Sequence, residues 1–323
     1  MATAALTTSQ TQERESKLLP TRSDIILLLV LIAIACLAIE AGSAFLVGRV
    51  SKIRRRFDMQ RAEALQVQRS PVGPPSVLLV GNSLLQHGID LPVLQQKVGS
   101  AAHLTRYAVS STGYLDWYYG LRRLFREGSR PDVVIVVLNP RQFMSHSIAG
   151  DYAVHSMVDA KDLMKLAGDL GSSNTEASTL VADRASAFYG SRTDIRVFAL
   201  QIVLPRFEEV RDSITPPPSQ LPTDEEIATR IAPRIEAMRH ICAQYGASML
   251  LLVPPALGRD GSEGLKRAAA RFGIPVLEPY APDELTADFF SDGFHLNERG
   301  AALFTDRVAH MLRSSFGSQS YGR

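Results

Sequence analysis

The chain has 323 residues, 46% of them hydrophobic and 21% charged, with a formal charge of +2. That composition belongs to a globular protein, and so small a charge excess excludes the basic surface a nucleic-acid binder needs; no nucleic-acid partner is expected. Cys36 and Cys242 are its two cysteines, too few for a disulfide framework, and they are not expected to pair.

In chain order, residues 1–24 are polar and rich in Thr, Ser and Gln, and read as a disordered tail. Residues 25–47, IILLLVLIAIACLAIEAGSAFLV, form a 23-residue apolar run with one charge, Glu40. About 20 such residues span a bilayer as a helix. A cleaved signal peptide competes with this reading, but secretory apolar cores run to about 7–15 residues. Residues 48–75 read as a basic juxtamembrane segment that touches anionic headgroups and ends in a stiff PVGPP link. Residues 76–314 are long enough for one domain with a substantial core, and 315–323 read as a short tail.

Within that domain, strands are expected at 77–80, 104–109, 133–138, 249–253 and 275–277. SVLLV, DVVIVVL and SMLLLV are continuous apolar runs of the kind that parallel sheets bury on both faces. Helices are expected over 115–127, 225–243, 264–271 and 298–312. The pattern predicts an α/β fold of three layers around a mainly parallel five-stranded sheet, preceded by one transmembrane helix. The stretch 140–248 is too long for one crossover and reads as a helical insertion, either covering a site or decorating the surface. Gly258 and Gly261 lack the spacing of a nucleotide fingerprint.

Ser83 follows the first strand in SVLLVGNSLLQHG, at the strand end where open α/β sheets place their crevice. Alone it reads better as a helix cap. Near the other end, SDGFHLNERG places Asp292 and His295 three residues apart ahead of the last helix. A serine needs a base to become a nucleophile; His295 has the chemistry to supply it and Asp292 to orient the imidazole. A capping loop with a surface histidine is the competing reading. Trp117, Tyr114, Tyr118 and Tyr119 offer either a sugar-stacking surface or core packing. Arg141 is either an anion ligand or a solvated cation. His87, His146 and His155 have no ligand spacing, so neither metal nor cofactor is expected.

GNSLLQHG resembles the first block of the SGNH (GDSL-type) hydrolases, and SDGFHLNERG resembles their final Asp-x-x-His block. The resemblance implies Ser83, Asp292 and His295 as catalytic residues. It also implies an oxyanion hole from the Ser83 N–H, the Gly113 N–H in SSTGYLDW and the Asn139 side chain in VVIVVLNPRQF. The family's usual Asn-Asp is Asn139-Pro140 here, which removes one backbone donor. The layout is similar to membrane-tethered members that acylate or deacylate envelope glycans. That implies an acyl-ester donor, a glycan acceptor shaped by the insertion, a bilayer, and a membrane-bound acyltransferase as partner. The alternative is a non-catalytic membrane-anchored scaffold of an envelope polysaccharide assembly. The resemblance implies a single-pass protein of the inner (cytoplasmic) membrane with its domain outside the cytoplasm. Charge counting opposes this: Arg14, Lys17 and Arg22 precede the span, whereas Arg49, Lys52, Arg54, Arg55, Arg56 and Arg61 follow it.

Overall fold

A computed structural model describes residues 21–50, 52–203 and 220–317. The expected tails at 1–20 and 318–323, with Arg14 and Lys17, and the prolines of 216–218 lie outside the described residues.

Five strands form one parallel sheet: β1 Ser76–Gly81, β2 His103–Ala108, β3 Val133–Val137, β4 Ser248–Leu252 and β5 Val276–Leu277, in the order β2-β1-β3-β4-β5. Period-two alternation divides their side chains between two cores. Leu78, Val80, Val134, Val136, Met249 and Leu251 face one helical layer; Val77, Leu79, Val133, Ile135, Leu250 and Leu252 face the other. The first layer includes helices Tyr114–Arg126, Asp224–Gln244 and Ser262–Ala270, and the second includes Leu91–Val98 and Glu298–Gly317. This is the three-layer α/β arrangement expected. The strand order reverses between β1 and β3, so the crevice of the fold opens where these two strands end.

The apolar run lies in a helix, Arg22–Val50, of which Arg22–Phe45 is long and apolar enough to cross a membrane, with its apolar side chains turned outward.

Two expected boundaries are corrected. The segment 48–75 is more than a juxtamembrane flank and linker: its helix Lys52–Gln66 packs into the domain. Its Phe57 and Ala64 are buried in the first core. Buried Gln60 accepts from the Ala108 N–H at 2.8 Å and donates to Gln86 Oε1 at 3.0 Å. Two of its cations are likewise engaged in the domain. Arg54 lies over the Tyr152 ring at 4.1 Å, and Arg61 pairs with Glu127. PVGPP carries the chain from this helix into β1, with Ser70 N and Ser76 N both donating to Asp132 Oδ2.

The insertion is also shorter than 140–248, because Asp224–Gln244 is the ordinary crossover helix leading to β4. What remains includes helices Gly150–Met157, Leu163–Asp169, Asn174–Ala185 and Arg192–Val203. It is clamped to helix Tyr114–Arg126 by buried Asp162, which binds Arg122 at 2.9 Å and Arg126 at 2.6 Å.

Candidate active site

Gly81 ends β1 against β3, where any Cβ would stand 2.5 Å from the Val137 carbonyl oxygen. Asn82 then takes an extended conformation and caps helix Ser83–Gly88: its Oδ1 accepts from the Leu84 N–H at 3.0 Å. Its Nδ2 donates to the Thr112 carbonyl at 3.0 Å, joining the loops after β1 and β2. The cap is therefore Asn82 and not Ser83. With the capping duty taken by its neighbour, the Ser83 hydroxyl points to His295, its Oγ 2.9 Å from Nε2.

The loop carrying His295 is shaped by Asp292. Oδ1 accepts from the Phe294 N–H at 2.9 Å and the His295 N–H at 2.7 Å, which folds residues 292–295 into a tight turn with Gly293 at φ +80°. The second oxygen, Oδ2, lies 2.6 Å from His295 Nδ1. A carboxylate only accepts, so Nδ1 carries the proton and Nε2 presents its lone pair to the serine. Desolvation works against ionisation of Asp292, but the His295 ring and the two backbone N–H groups outweigh it and hold its pKa down to about 2. The loop is tied down by Phe290–Leu296 pairing and by a hydrogen bond from Asn297 Nδ2 to the Asp288 carbonyl at 2.7 Å.

The second expected oxyanion donor, the Gly113 N–H, has a partner of its own in this structure. The Gly113 N–H donates to the side chain of buried Asp116, with Oδ2 at 2.8 Å, and so is committed inside its own helix start. Asp116 Oδ1 accepts from the Ala149 N–H at 2.9 Å, so the same carboxylate binds the insertion. Gly113 still needs to be glycine: a Cβ there would lie 3.0 Å from the Gln142 carbonyl oxygen. Asn139 caps helix Pro140–Met144 through Oδ1, which accepts from the Gln142 N–H at 2.9 Å, and its side chain lines a cleft beside Asp292. With the oxygen engaged, its Nδ2 is the half left to donate.

That cleft, of about 580 Å³, is walled by Leu84, Asn139 and Arg141 on one side and by Asp292, Gly293 and Phe294 on another. Its remaining wall is the loop after β4, with Pro254, Pro255, Leu257, Arg259 and Asp260. Sequence reasoning missed this loop, although its position directly after a strand was the available signal. His87, set aside in the sequence as lacking ligand spacing, stands beside the site, its ring edge-on 5.6 Å from His295. Burial first, and then the neighbouring His295 and arginine charges, press the His87 pKa below the ordinary value.

Of the aromatic candidates, Trp117 and Tyr119 are fully buried, Tyr114 is buried and Tyr118 is half-buried against the same core, so three of the four are packing residues. Arg141 lines the cleft. His146 Nδ1 lies 2.9 Å from Arg234 Nη2, and His155 Nδ1 lies 3.1 Å from the Asp183 carbonyl oxygen.

No family model matches the sequence, and no curated protein matches it. Among solved structures, the fold resembles proteins of the GDSL type. A GDSL-like lipase from Bacteroides thetaiotaomicron is 11% identical over 81% of this chain and 97% of its own, with a TM-score of 0.38. A member of the lipolytic G-D-S-L family from Veillonella parvula is 11% identical over 73% of this chain and 96% of its own, with a TM-score of 0.36. An active-site mutant of a family two carbohydrate esterase from Clostridium thermocellum is 11% identical over 77% of this chain and 66% of its own, with a TM-score of 0.37. The reading of the site rests on its own geometry.

Proposed function

We propose that the protein is a membrane-anchored serine esterase or O-acyltransferase of the SGNH (GDSL) type, acting on an acyl ester of a cell-envelope glycan. The observation that carries this is the relay Ser83 Oγ–His295 Nε2 at 2.9 Å and His295 Nδ1–Asp292 Oδ2 at 2.6 Å. His295 takes the hydroxyl proton as Ser83 Oγ attacks an ester carbonyl, and Asp292 stabilises the imidazolium. The tetrahedral oxyanion is held by the Ser83 N–H and the Asn139 Nδ2. Collapse releases the alcohol, which takes the proton back from His295, and leaves an acyl-serine. Water or a sugar hydroxyl then attacks with His295 again as base, giving hydrolysis or transfer.

On this reading the helix segment Arg22–Phe45 is a membrane anchor, the chemistry belongs at the inner membrane with the domain outside the cytoplasm, and a membrane-bound acyltransferase is the source of acyl groups.

A second reading, a non-catalytic scaffold of an envelope polysaccharide assembly, draws on one observation: the Gly113 N–H is already bound to Asp116. The deciding experiment supplies the full chain in nanodiscs with p-nitrophenyl acetate, with and without a polysaccharide acceptor. Acetate release or acetylated glycan that disappears in Ser83→Ala supports the enzyme. Equal background from both proteins supports the scaffold.

A further inference from the structure

Glu40 is the one charged residue within the apolar run 25–47. Its carboxylate is not left bare. It accepts hydrogen bonds from Ser186 Oγ at 2.7 Å, from the Phe188 N–H at 3.2 Å and from the Ala187 N–H. These donors form the turn between helices Asn174–Ala185 and Arg192–Val203 of the insertion. The insertion therefore meets the anchor helix along its side and not at its end.

The depth of that meeting follows from helix geometry. Glu40 precedes Phe45, the last residue of the segment Arg22–Phe45 that is long and apolar enough to cross a membrane, by five residues, or about 7–8 Å along the axis at 1.5 Å per residue. Elements that lie in the bilayer interface bury their apolar faces about 5–10 Å into the headgroup and acyl boundary. The turn carries suitable side chains at that level: Phe188 is 37% exposed and Tyr189 45% exposed. Tyrosine rings favour this zone, and the apolar Phe188 ring suits the acyl side of it.

The turn is also held firmly within the insertion, which Asp162 clamps to helix Tyr114–Arg126. Gly190 is buried so closely that a Cβ would lie 2.8 Å from the Asp183 carbonyl oxygen. Arg192 lies over the Tyr189 ring at 5.4 Å and pairs with Asp151 at 2.9 Å and Asp183 at 2.8 Å. Such a turn moves with the domain.

We propose that Ser186–Tyr189 is a membrane-interface foot. Glu40 draws the turn alongside the anchor, and Phe188 and Tyr189 enter the headgroup and acyl boundary of the same bilayer. The foot satisfies the one charge of the span and gives the domain a second point of attachment, which sets its tilt over the membrane. This rests on reading residues 22–45 as a span.

The test uses the full chain in phosphatidylcholine proteoliposomes with tryptophan reporters, Phe188→Trp and Leu31→Trp in separate variants; the native Trp117 is fully buried and supplies a constant background. With lipid brominated near the carbonyl end of its chains, Phe188→Trp should lose emission relative to unbrominated lipid, as a ring at the depth of interfacial elements requires. Lipid brominated near the chain terminus should quench Leu31→Trp. Adding Glu40→Ala should abolish quenching at 188 and leave that at 31. Quenching at 31 without quenching at 188 overturns the foot and leaves the anchor standing. No quenching at either overturns both. Quenching at 188 that survives Glu40→Ala overturns the role given to Glu40.

Discussion

The Gly113 N–H donates to Asp116 Oδ2 at 2.8 Å, and the same carboxylate accepts from Ala149 across the start of the insertion. One buried acid thus connects the loop after β2 with the segment that follows Asn139. Burial raises the Asp116 pKa to about 6 against the pull of these hydrogen bonds. The folded protein binds this proton more tightly than the unfolded chain. Its contribution to stability is therefore full below the unfolded value of 3.8 and is lost as pH rises through about 6. Across that window the contribution is on the order of 3 kcal/mol. Chemical denaturation of the wild type and Asp116→Asn between these pH values should show the stability difference changing with that sign, and a flat difference would contradict it.

Asp292 behaves oppositely. With its pKa held at about 2, it is ionised throughout the neutral range, and its stabilising contribution disappears only as pH falls from 3.8 through about 2. Asp292→Asn should keep the fold and lower kcat by roughly 10³–10⁴-fold, because the neutral amide no longer holds the proton on Nδ1. Steady-state ester hydrolysis with a thermal melt on the same sample checks both halves of this statement.

Gln60 ties helix Lys52–Gln66 to the edge strand β2 through the buried Ala108 N–H. Gln60→Ala leaves that donor without this partner and should cost about 1–3 kcal/mol. By the same logic a chain begun at residue 52 should melt cooperatively, whereas one begun at residue 70 loses Phe57, Gln60 and Ala64 and should melt lower or aggregate. Calorimetry on the two chains reads the difference.

Gly81 has no room for a side chain against Val137. Gly81→Ala should destabilise the domain by about 1–3 kcal/mol, as overpacking does. It should also depress kcat, because Ser83 is two residues downstream. A denaturation midpoint and a rate on one preparation test this.

The sheet and its order of elements were legible because buried parallel strands are written as unbroken apolar runs such as VVIVV, between amphipathic helices. Ser83, Asp292 and His295 were legible because each stands at a strand end or ahead of the last helix, where local chemistry marks it. What escaped depends on contacts between distant segments. Helix Lys52–Gln66 is rich in arginine and reads as a membrane flank, yet its Phe57 and Ala64 complete the core. The bond from Gly113 to Asp116 was three residues long and open to view as a helix start, but the resemblance assigned that N–H to an oxyanion. The meeting of Glu40 with Ser186 joins residues 146 apart, which no local pattern encodes.

Whether Ser83 is an activated nucleophile can be read with a serine-directed fluorophosphonate. Applied to the full chain in detergent and read by intact mass and peptide mapping, it should label Ser83 once. His295→Ala should abolish that label while the protein keeps its melting temperature. A folded wild-type protein that takes up no label, or a label at Ser83 indifferent to His295, would contradict the account.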